Sequence, residues 1–550
     1  MRLICALLTL LVILGAGLAM AESVDLPLPS VQAENSFNEF DPPSTNKNAR
    51  NLVDYQMNVI RAGIVILGLV IFLWVWSAPG RPSSGARKMQ TTILLLLAMA
   101  SFASYYQFFQ YSHVRGFATS DNFHYYLGSK YFPELGYFGI YECSLYALTE
   151  RGLSTTGSAE TPVRNLRTME PLTTSEVVTL GTDCPSRFSH ERWQAFGDEV
   201  QYFSHKWPLH IRKATWLDHG YHPPPAWTLV GGALGQKLNV NHSHNWLARI
   251  DRILILFTLL GILWAFGLKT ACLVALIWGT GTLWRYTWVG DAFLRHLWWI
   301  SAIWGVIALR RGRNTLAGSA LTLSALFRIF PGALGLGYLL HATREGFQKK
   351  NIPPRSILFM TGAMATLLIV TLGAAWFSGH GFSVYQEFAM KLSRFTDAPI
   401  SNDIGLSTLA EWLFPSSETL SNLTQGVLIG LFIALFWRAM ARIADWEAAA
   451  AGVLLIPILV SPANYYFSFF AIAALVATQR PRMGVILIVT AVLWNINGLL
   501  LYQQYSEFNW ASVISVISCF ALILELGQPL KALKKSESDT EATAMTQARP

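Results

Sequence analysis

The stretch Thr119-Ser-Asp-Asn-Phe-His-Tyr-Tyr-Leu-Gly-Ser-Lys-Tyr-Phe-Pro-Glu-Leu-Gly-Tyr137 sets a carboxylate, Asp121, and an imidazole, His124, among aromatic side chains soon after the apolar run Thr91–Phe109. A carboxylate at a membrane edge is costly unless something uses it. Positioned against a hydroxyl, it is a general base. His124 shares a helical face with Asp121 if this stretch is helical. There it orients the carboxylate, binds a substrate group, or is simply a satisfied interfacial histidine. A second set is basic: Arg285, Arg295 and Arg328 stand in or beside apolar runs. A guanidinium so placed either snorkels to lipid headgroups or grips a phosphate inside a cavity. A third set lies in Leu217-Asp-His-Gly-Tyr-His-Pro-Pro-Pro-Ala-Trp227, where Asp218, His219 and His222 precede a Pro-rich run. Neither this spacing nor that of Asn241-His-Ser-His-Asn245 matches a zinc motif, so no metal is assigned and the loop reads as one packed over a site.

The elements that must position these groups belong to a membrane protein. Of 550 residues, 52% are hydrophobic and only 13% charged, which excludes a soluble globule. The net charge of +8 is gathered in short loops between apolar runs, so nucleic acid is not the expected partner. Met1-Arg-Leu, the apolar Ile4–Gly17 and Leu18-Ala-Met-Ala21 read as a signal peptide, with an uncleaved anchor as the alternative. Thirteen apolar runs follow, at roughly 58–76, 90–109, 250–268, 270–284, 293–309, 315–330, 332–343, 356–377, 424–440, 448–460, 466–478, 484–501 and 510–526. If residue 22 is outside, the loops that should be cytoplasmic carry Arg81, Arg87 and Lys88; Lys269; Arg310, Arg311 and Arg313; Arg344, Lys349, Lys350 and Arg355; Arg438 and Arg442; Arg480 and Arg482; and Lys531, Lys534 and Lys535. That alternation predicts the Asp121 stretch on the outer side.

The expectation is therefore an all-α polytopic membrane protein with a mixed periplasmic subdomain. Its parts are a signal segment (1–21), an exported flexible segment (22–57), a first transmembrane pair (58–109), an exported subdomain (110–249), a transmembrane core (250–377), a second exported loop (378–423), C-terminal transmembrane helices (424–526) and a cytoplasmic tail (527–550). Short runs flank Pro331 and Ser461-Pro-Ala-Asn-Tyr-Tyr466. Each pair is either a broken hairpin lining a cavity or two ordinary spans. Of five cysteines, only Cys143 and Cys184 fall in the exported subdomain. In an oxidising compartment they are expected to pair, free thiols being the alternative.

Four stretches resemble the GT-C superfamily of polytopic glycosyltransferases, and within it bacterial family 87, the polyprenol-phosphate-mannose-dependent mannosyltransferases. They are Asp121 just past a span, Tyr221-His-Pro-Pro-Pro225 ahead of the next span, the small-residue helix Ala317–Pro331 with Arg328 near its end, and Ser461–Tyr466. Ser401-Asn-Asp-Ile-Gly405 is similar more loosely. The resemblance implies a sugar moved from a polyprenyl-phosphate donor to a glycan, lipid or protein acceptor on the outer face of the bacterial inner membrane. It makes Asp121 the base and Arg328, with Arg285 or Arg295, the donor-phosphate ligands. His124, Tyr125, Asp218, His222, Asn402, Asn464 and Tyr465 become substrate contacts. No cofactor is required, and a divalent cation has no motif to hold it. The sequence departs from the family in the size of its first exported loop, in Asn122 standing after Asp121, and in a Ser-Pro turn without histidine. A ligase moving a whole lipid-linked glycan, or a non-enzymatic transporter or envelope-assembly protein, are the competing classes; no internal repeat supports a transporter.

Overall fold

The computed structural model describes residues 47–77, 83–109, 118–153, 158–207, 209–396, 402–502, 504 and 506–529. The expected signal segment, most of the exported segment before it meets the first helix, and residues 530–550 of the tail lie outside the described residues. The main helices are α1 (Lys47–Ser77), α2 (Ser84–Tyr105), α3 (Ile140–Glu150), α4 (His190–Lys206), α5 (Pro225–Gly235), α6 (Val240–Phe266), α7 (Leu268–Gly279), α8 (Leu297–Arg310), α9 (Asn314–Phe327), α10 (Gly332–Lys349), α11 (Pro354–Phe377), α12 (Ser383–Thr396), α13 (Glu418–Ala439), α14 (Pro481–Leu500) and α15 (Ser506–Leu526). Among the described residues the only sheet is a hairpin of β1 (Pro162–Arg164) and β2 (Pro171–Thr173), with Val163 opposite Leu172.

A helix, or a succession of short helical turns, lies at every apolar run read from the sequence. Five stretches among the described residues are long and apolar enough to cross a membrane: Tyr55–Ser77, Pro354–Phe377, Glu418–Arg442, Pro481–Leu500 and Ser506–Leu526. α11 and α13 turn most of their apolar surface outward, with Leu368, Ile369, Trp376, Val427 and Leu431 exposed. Leaving such side chains in water forgoes on the order of 2 kcal/mol each. An outward face of this kind is that of a multi-pass membrane protein. Between α9 and α11 the backbones meet closely: a Cβ on Gly318 would fall 1.9 Å from the Phe359 carbonyl oxygen, and one on Gly362 would fall 2.0 Å from that of Thr315. This close approach lets the two helices pack backbone against backbone. It explains the small residues of the Ala317 helix without any appeal to chemistry.

Several boundaries differ from the sequence reading. α6 begins at Val240, so a long apolar helix starts inside the stretch read as exported. The region 378–423 is no plain loop; it contains α12, a further helix Leu406–Leu413, and the start of α13. α9 stops at Phe327, and Arg328 takes an extended backbone (φ −153°, ψ 137°) before α10 starts at Gly332. The runs 448–460 and 466–478 fold as short α and 3₁₀ turns from Asp445 to Leu459 and from Asn464 to Thr478. All side chains of 446–458 and of 467–477 are buried. A broken backbone is tolerated at this depth only when protein surrounds it, as it does here. The turn between the two halves is anchored by a short ladder: Ile404 N donates to the Pro462 carbonyl (3.1 Å) and Asn464 N to that of Asn402 (2.9 Å).

Within the stretch 110–249 read as a subdomain, the described residues of 118–239 fold as short helices and the hairpin. Thr173 and Glu176 cap its Thr174–Leu180 helix reciprocally. Cys143 on α3 and Cys184 form a buried disulfide closing a sequence separation of 41. Loop-closure entropy for a loop of this size is worth about 4 kcal/mol. Cys143→Ser with Cys184→Ser should therefore lower the thermal midpoint of the purified protein by several degrees. Thiol labelling of denatured wild-type protein should report two more cysteines with reductant than without; equal labelling would mean the bridge does not form.

Candidate active site

Asp121 sits in a helical turn, Thr119–Asn122, that passes directly into a π-helical turn, Phe123–Leu127. The widened turn buries His124, Tyr125 and Tyr126, and such turns recur where side chains must be re-aimed. Asn122 fastens it. Its Nδ2 donates to the Ala118 carbonyl (2.8 Å) and across to the Asp291 carbonyl (3.1 Å) in the loop between α7 and α8.

That loop presents Arg295, and hydrogen bonds to Asp251 and Arg252 fix it from α6. Arg252 Nη2 lies 2.8 Å from both carboxylate oxygens of Asp291, which also accepts from Tyr286 Oη at 2.5 Å. Asp251 accepts from the backbone amide of His296 (3.2 Å) and from its Nδ1 (2.6 Å). Hydrogen bonds to a charged partner contribute about 1.5–3 kcal/mol each. They are strong enough to hold Asp291 and Leu294 in left-handed backbone (φ 55° and 52°), which non-glycine residues avoid.

Arg295 then lies with its guanidinium carbon 4.7 Å from the Tyr125 ring centroid, 5.0 Å from that of Tyr465 and 5.8 Å from that of Tyr466. Its Nη1 is 3.6 Å from Asp121 Oδ1. Arg328 approaches the same aromatics, 5.4 Å from Tyr125 and 5.9 Å from Tyr466. It donates through Nη2 to Tyr125 Oη (2.9 Å) and through Nη1 to the Phe327 carbonyl (3.2 Å). Both arginines are buried. Among the described residues, Nε and Nη1 of Arg295 and Nε of Arg328 have no hydrogen-bond partner. Two buried cations thus share one nearby carboxylate, and 27% of the Asp121 side chain remains exposed. Burial holds the Asp121 carboxyl above the usual carboxylate range, against the pull of Arg295.

The turn at 217–222 forms another wall. Burial alone would raise the Asp218 carboxyl, but the hydrogen bonds from His219 hold it below the usual range. His124 Nε2 lies 2.9 Å from Tyr141 Oη, and that hydroxyl donates to the Thr215 carbonyl (2.6 Å). The His124 proton therefore sits on Nε2. Nδ1 faces Asp218 at 3.6 Å, too far for a hydrogen bond. Burial pushes His124 down to about 4. It is a neutral histidine satisfied by Tyr141, and its bonds run to that wall instead of to Asp121. His222 lies 3.3 Å from Tyr125 Oη. α12 adds Lys391, its amine fully buried over the Phe138 ring (5.6 Å) and pushed down to about 7 by burial.

Of the residues read from sequence, Asp121, Tyr125, His222, Arg295, Arg328 and Tyr465 meet in one constellation, with His124 and Asp218 in its wall. Arg285 is elsewhere: its Nη2 is 3.7 Å from Glu507 and its guanidinium lies over Tyr502 (5.3 Å). Asn402 and Asn464 act on structure, since Asn402 Nδ2 donates to Asn464 Oδ1 (2.7 Å) and Asn464 Nδ2 to the Leu283 carbonyl (2.9 Å). They hold the turn that presents Tyr465 and Tyr466. The sequence reading gave no structural or binding role to Tyr466, Asn122 or Tyr141, and it did not foresee the Asp251–His296 and Arg252–Asp291 pairs. Only the tyrosine doublet at a broken hairpin carried a local signal. Among the described residues, His341, Glu345 and Asp445 are close enough to hold an ion, but Arg355 already pairs with both carboxylates. Glu142, Cys143 and Cys184 also lie close, but their sulfurs form the disulfide. No protein-family model matches this chain, and no curated protein or solved structure matches it.

His124 gives the fold an acid limit. Between its ordinary 6.5 and about 4, the unfolded chain binds a proton that the folded chain does not, so stability falls as pH drops through that window. The loss should reach about 3 kcal/mol. His124→Gln keeps a donor for Tyr141 without titrating. Its melting temperature should decline less than that of wild type from pH 6.5 to 4, and parallel declines would clear His124 of the effect.

Proposed function

We propose that this chain is a membrane glycosyltransferase of the GT-C type, with thirteen spans after a signal segment. It moves a sugar from a polyprenyl-phosphate donor to a glycan, lipid or protein acceptor on the outer face of the bacterial inner membrane. The observation that carries this reading is the buried Arg295–Arg328 pair, with hydrogen-bond donors still unbonded, beside the partly exposed carboxylate of Asp121. Burying two cations with so little compensation is unfavourable unless an anion completes the site. Planar guanidinium forks match the oxygens of a phosphate. The charge alternation of the loops supports the outer face.

The chemistry follows from these roles. Asp121 takes the proton of the acceptor hydroxyl, whose oxygen attacks the anomeric carbon. The bond from that carbon to the phosphate oxygen breaks, and the electron pair leaves on the polyprenyl phosphate. Arg295 and Arg328 stabilise the charge that develops there. A single direct displacement needs one carboxylate and inverts the anomeric centre. While the site lacks a donor, Arg295 is the cation nearest the base; a phosphate competing for that guanidinium leaves Asp121 freer to accept a proton.

With a polyprenyl-phosphate sugar as donor and membrane extract as acceptor, Asp121→Asn should reduce turnover on the order of 10³-fold while the protein folds normally. Arg328→Ala should weaken donor binding as well as slow transfer. Transfer retained in Asp121→Asn would remove the base from the mechanism. A product heavier by a whole oligosaccharide, made from a lipid pyrophosphate, would point to the ligase class instead.

A further inference from the structure

His222 interrupts what would otherwise be an aromatic-Pro-Pro turn, and its ring is tied at both ends. Nδ1 lies 2.9 Å from the Gly220 carbonyl oxygen. A carbonyl only accepts, so the proton is on Nδ1 and Nε2 carries the lone pair. Nε2 is 3.3 Å from Tyr125 Oη, the same oxygen that accepts from Arg328 Nη2 at 2.9 Å. The tyrosine hydroxyl, with one proton to give, therefore gives it to His222. Every bond in the chain from Arg328 through Tyr125 and His222 to Gly220 has a fixed direction. The last acceptor stands at a position that only glycine suits. Gly220 sits in left-handed backbone (φ +66°), and the Leu166 side chain lies 2.6 Å from where a Cβ would be.

The protonation states the chain needs are the ones the surroundings enforce. Burial pushes the Tyr125 hydroxyl up to about 12, so it keeps its proton. Burial and then Arg328 hold His222 well below its ordinary value, with Arg295 adding to this and Asp218 opposing it. We infer that His222 is a positioning residue: as a neutral acceptor it fixes the Tyr125 hydroxyl, which aims the Arg328 guanidinium and sets the grip of the site on a phosphate. Only the identity of the ligand rests on the glycosyltransferase reading; the relay itself rests on the hydrogen-bond geometry.

The test uses full-length protein in detergent and a polyprenyl phosphate as the probe. His222→Phe and Tyr125→Phe should each weaken binding about tenfold, the worth of one hydrogen bond to a charged group. The double variant should bind no worse than the weaker single one. His222→Gln, whose amide can donate to Gly220 and accept from Tyr125, should bind within about threefold of wild type. Wild-type affinity in His222→Phe, additive losses, or a His222→Gln as weak as His222→Phe would overturn the relay. A second readout needs no donor: the rate at which phenylglyoxal modifies Arg328, followed by mass spectrometry. It should rise in His222→Phe and Tyr125→Phe but not in His222→Gln, and an unchanged rate in all three also overturns the relay. If Arg328→Ala binds the probe as tightly as wild type, the phosphate reading fails, and the modification rates alone decide the relay. Should His222→Phe not fold, His222→Ala, which also lacks the acceptor, takes its place in both readouts with the same expected and overturning results.

Discussion

Two guanidinium groups buried against one tyrosine ring are the constraint on which this part of the molecule depends. Moving a cation out of water costs several kcal/mol, and bringing a second beside it adds repulsion. The rings of Tyr125, Tyr465 and Tyr466 return part of this, each desolvated cation–π contact being worth about 2 kcal/mol. Asp121 returns less, since at 3.6 Å from Arg295 it makes no close bidentate pair. What remains must come from rigidity. Asp121, the two arginines and the three tyrosines come from four separate parts of the chain, and their anchors keep the cations from swinging out to water.

The anchoring differs in each part. The π-helical turn is tied through Asn122, and the Arg295 loop through Asp251 and Asp291 to their partners. The break after α9 leaves Arg328 in extended backbone, so its side chain leaves the helix axis and reaches Tyr125. The tyrosine doublet stands on a turn whose two asparagines are bonded to each other and to the Leu283 carbonyl. None of these anchors involves lipid. The apolar helices α11 and α13 keep their outward faces away from the site, and α11 also packs on α5 through Phe377 at Gly232.

How much of this was legible in the sequence depends on what a residue's neighbours along the chain reveal. Helices in a bilayer satisfy their own backbone, so apolar runs announced them directly. Asp121, Arg295 and Arg328 stood out because charge beside an apolar run is costly wherever the chain folds. The same reasoning could not separate Arg285 from the other two arginines. Charge alternation sorts residues by side of the membrane and says nothing of lateral position, and the partner that claims Arg285 is Glu507, in a helix far along the chain. Asn402 and Asn464 looked like ligands because polar side chains near a turn satisfy ligands and backbone equally well. His124 was readable as a polar group on the Asp121 stretch, but Tyr141, which fixes its proton, belongs to α3. Small residues in α9 were noticed for their resemblance to a catalytic family, whereas Gly318 is explained by its approach to α11.

Asn122 shows how a departure from an expected motif can be structural in origin. The residue after Asp121 is completely buried, and its Nδ2 donates to two carbonyl oxygens at once. An aspartate there has no N–H to offer. It would set an ionised group against the Ala118 and Asp291 carbonyls, leaving it to hold a proton or to break the link between the π-helical turn and the Arg295 loop. A second acid at this position is thus incompatible with the clasp that sets Asp121 opposite Arg295. The geometry therefore provides for one carboxylate beside Arg295 at this turn.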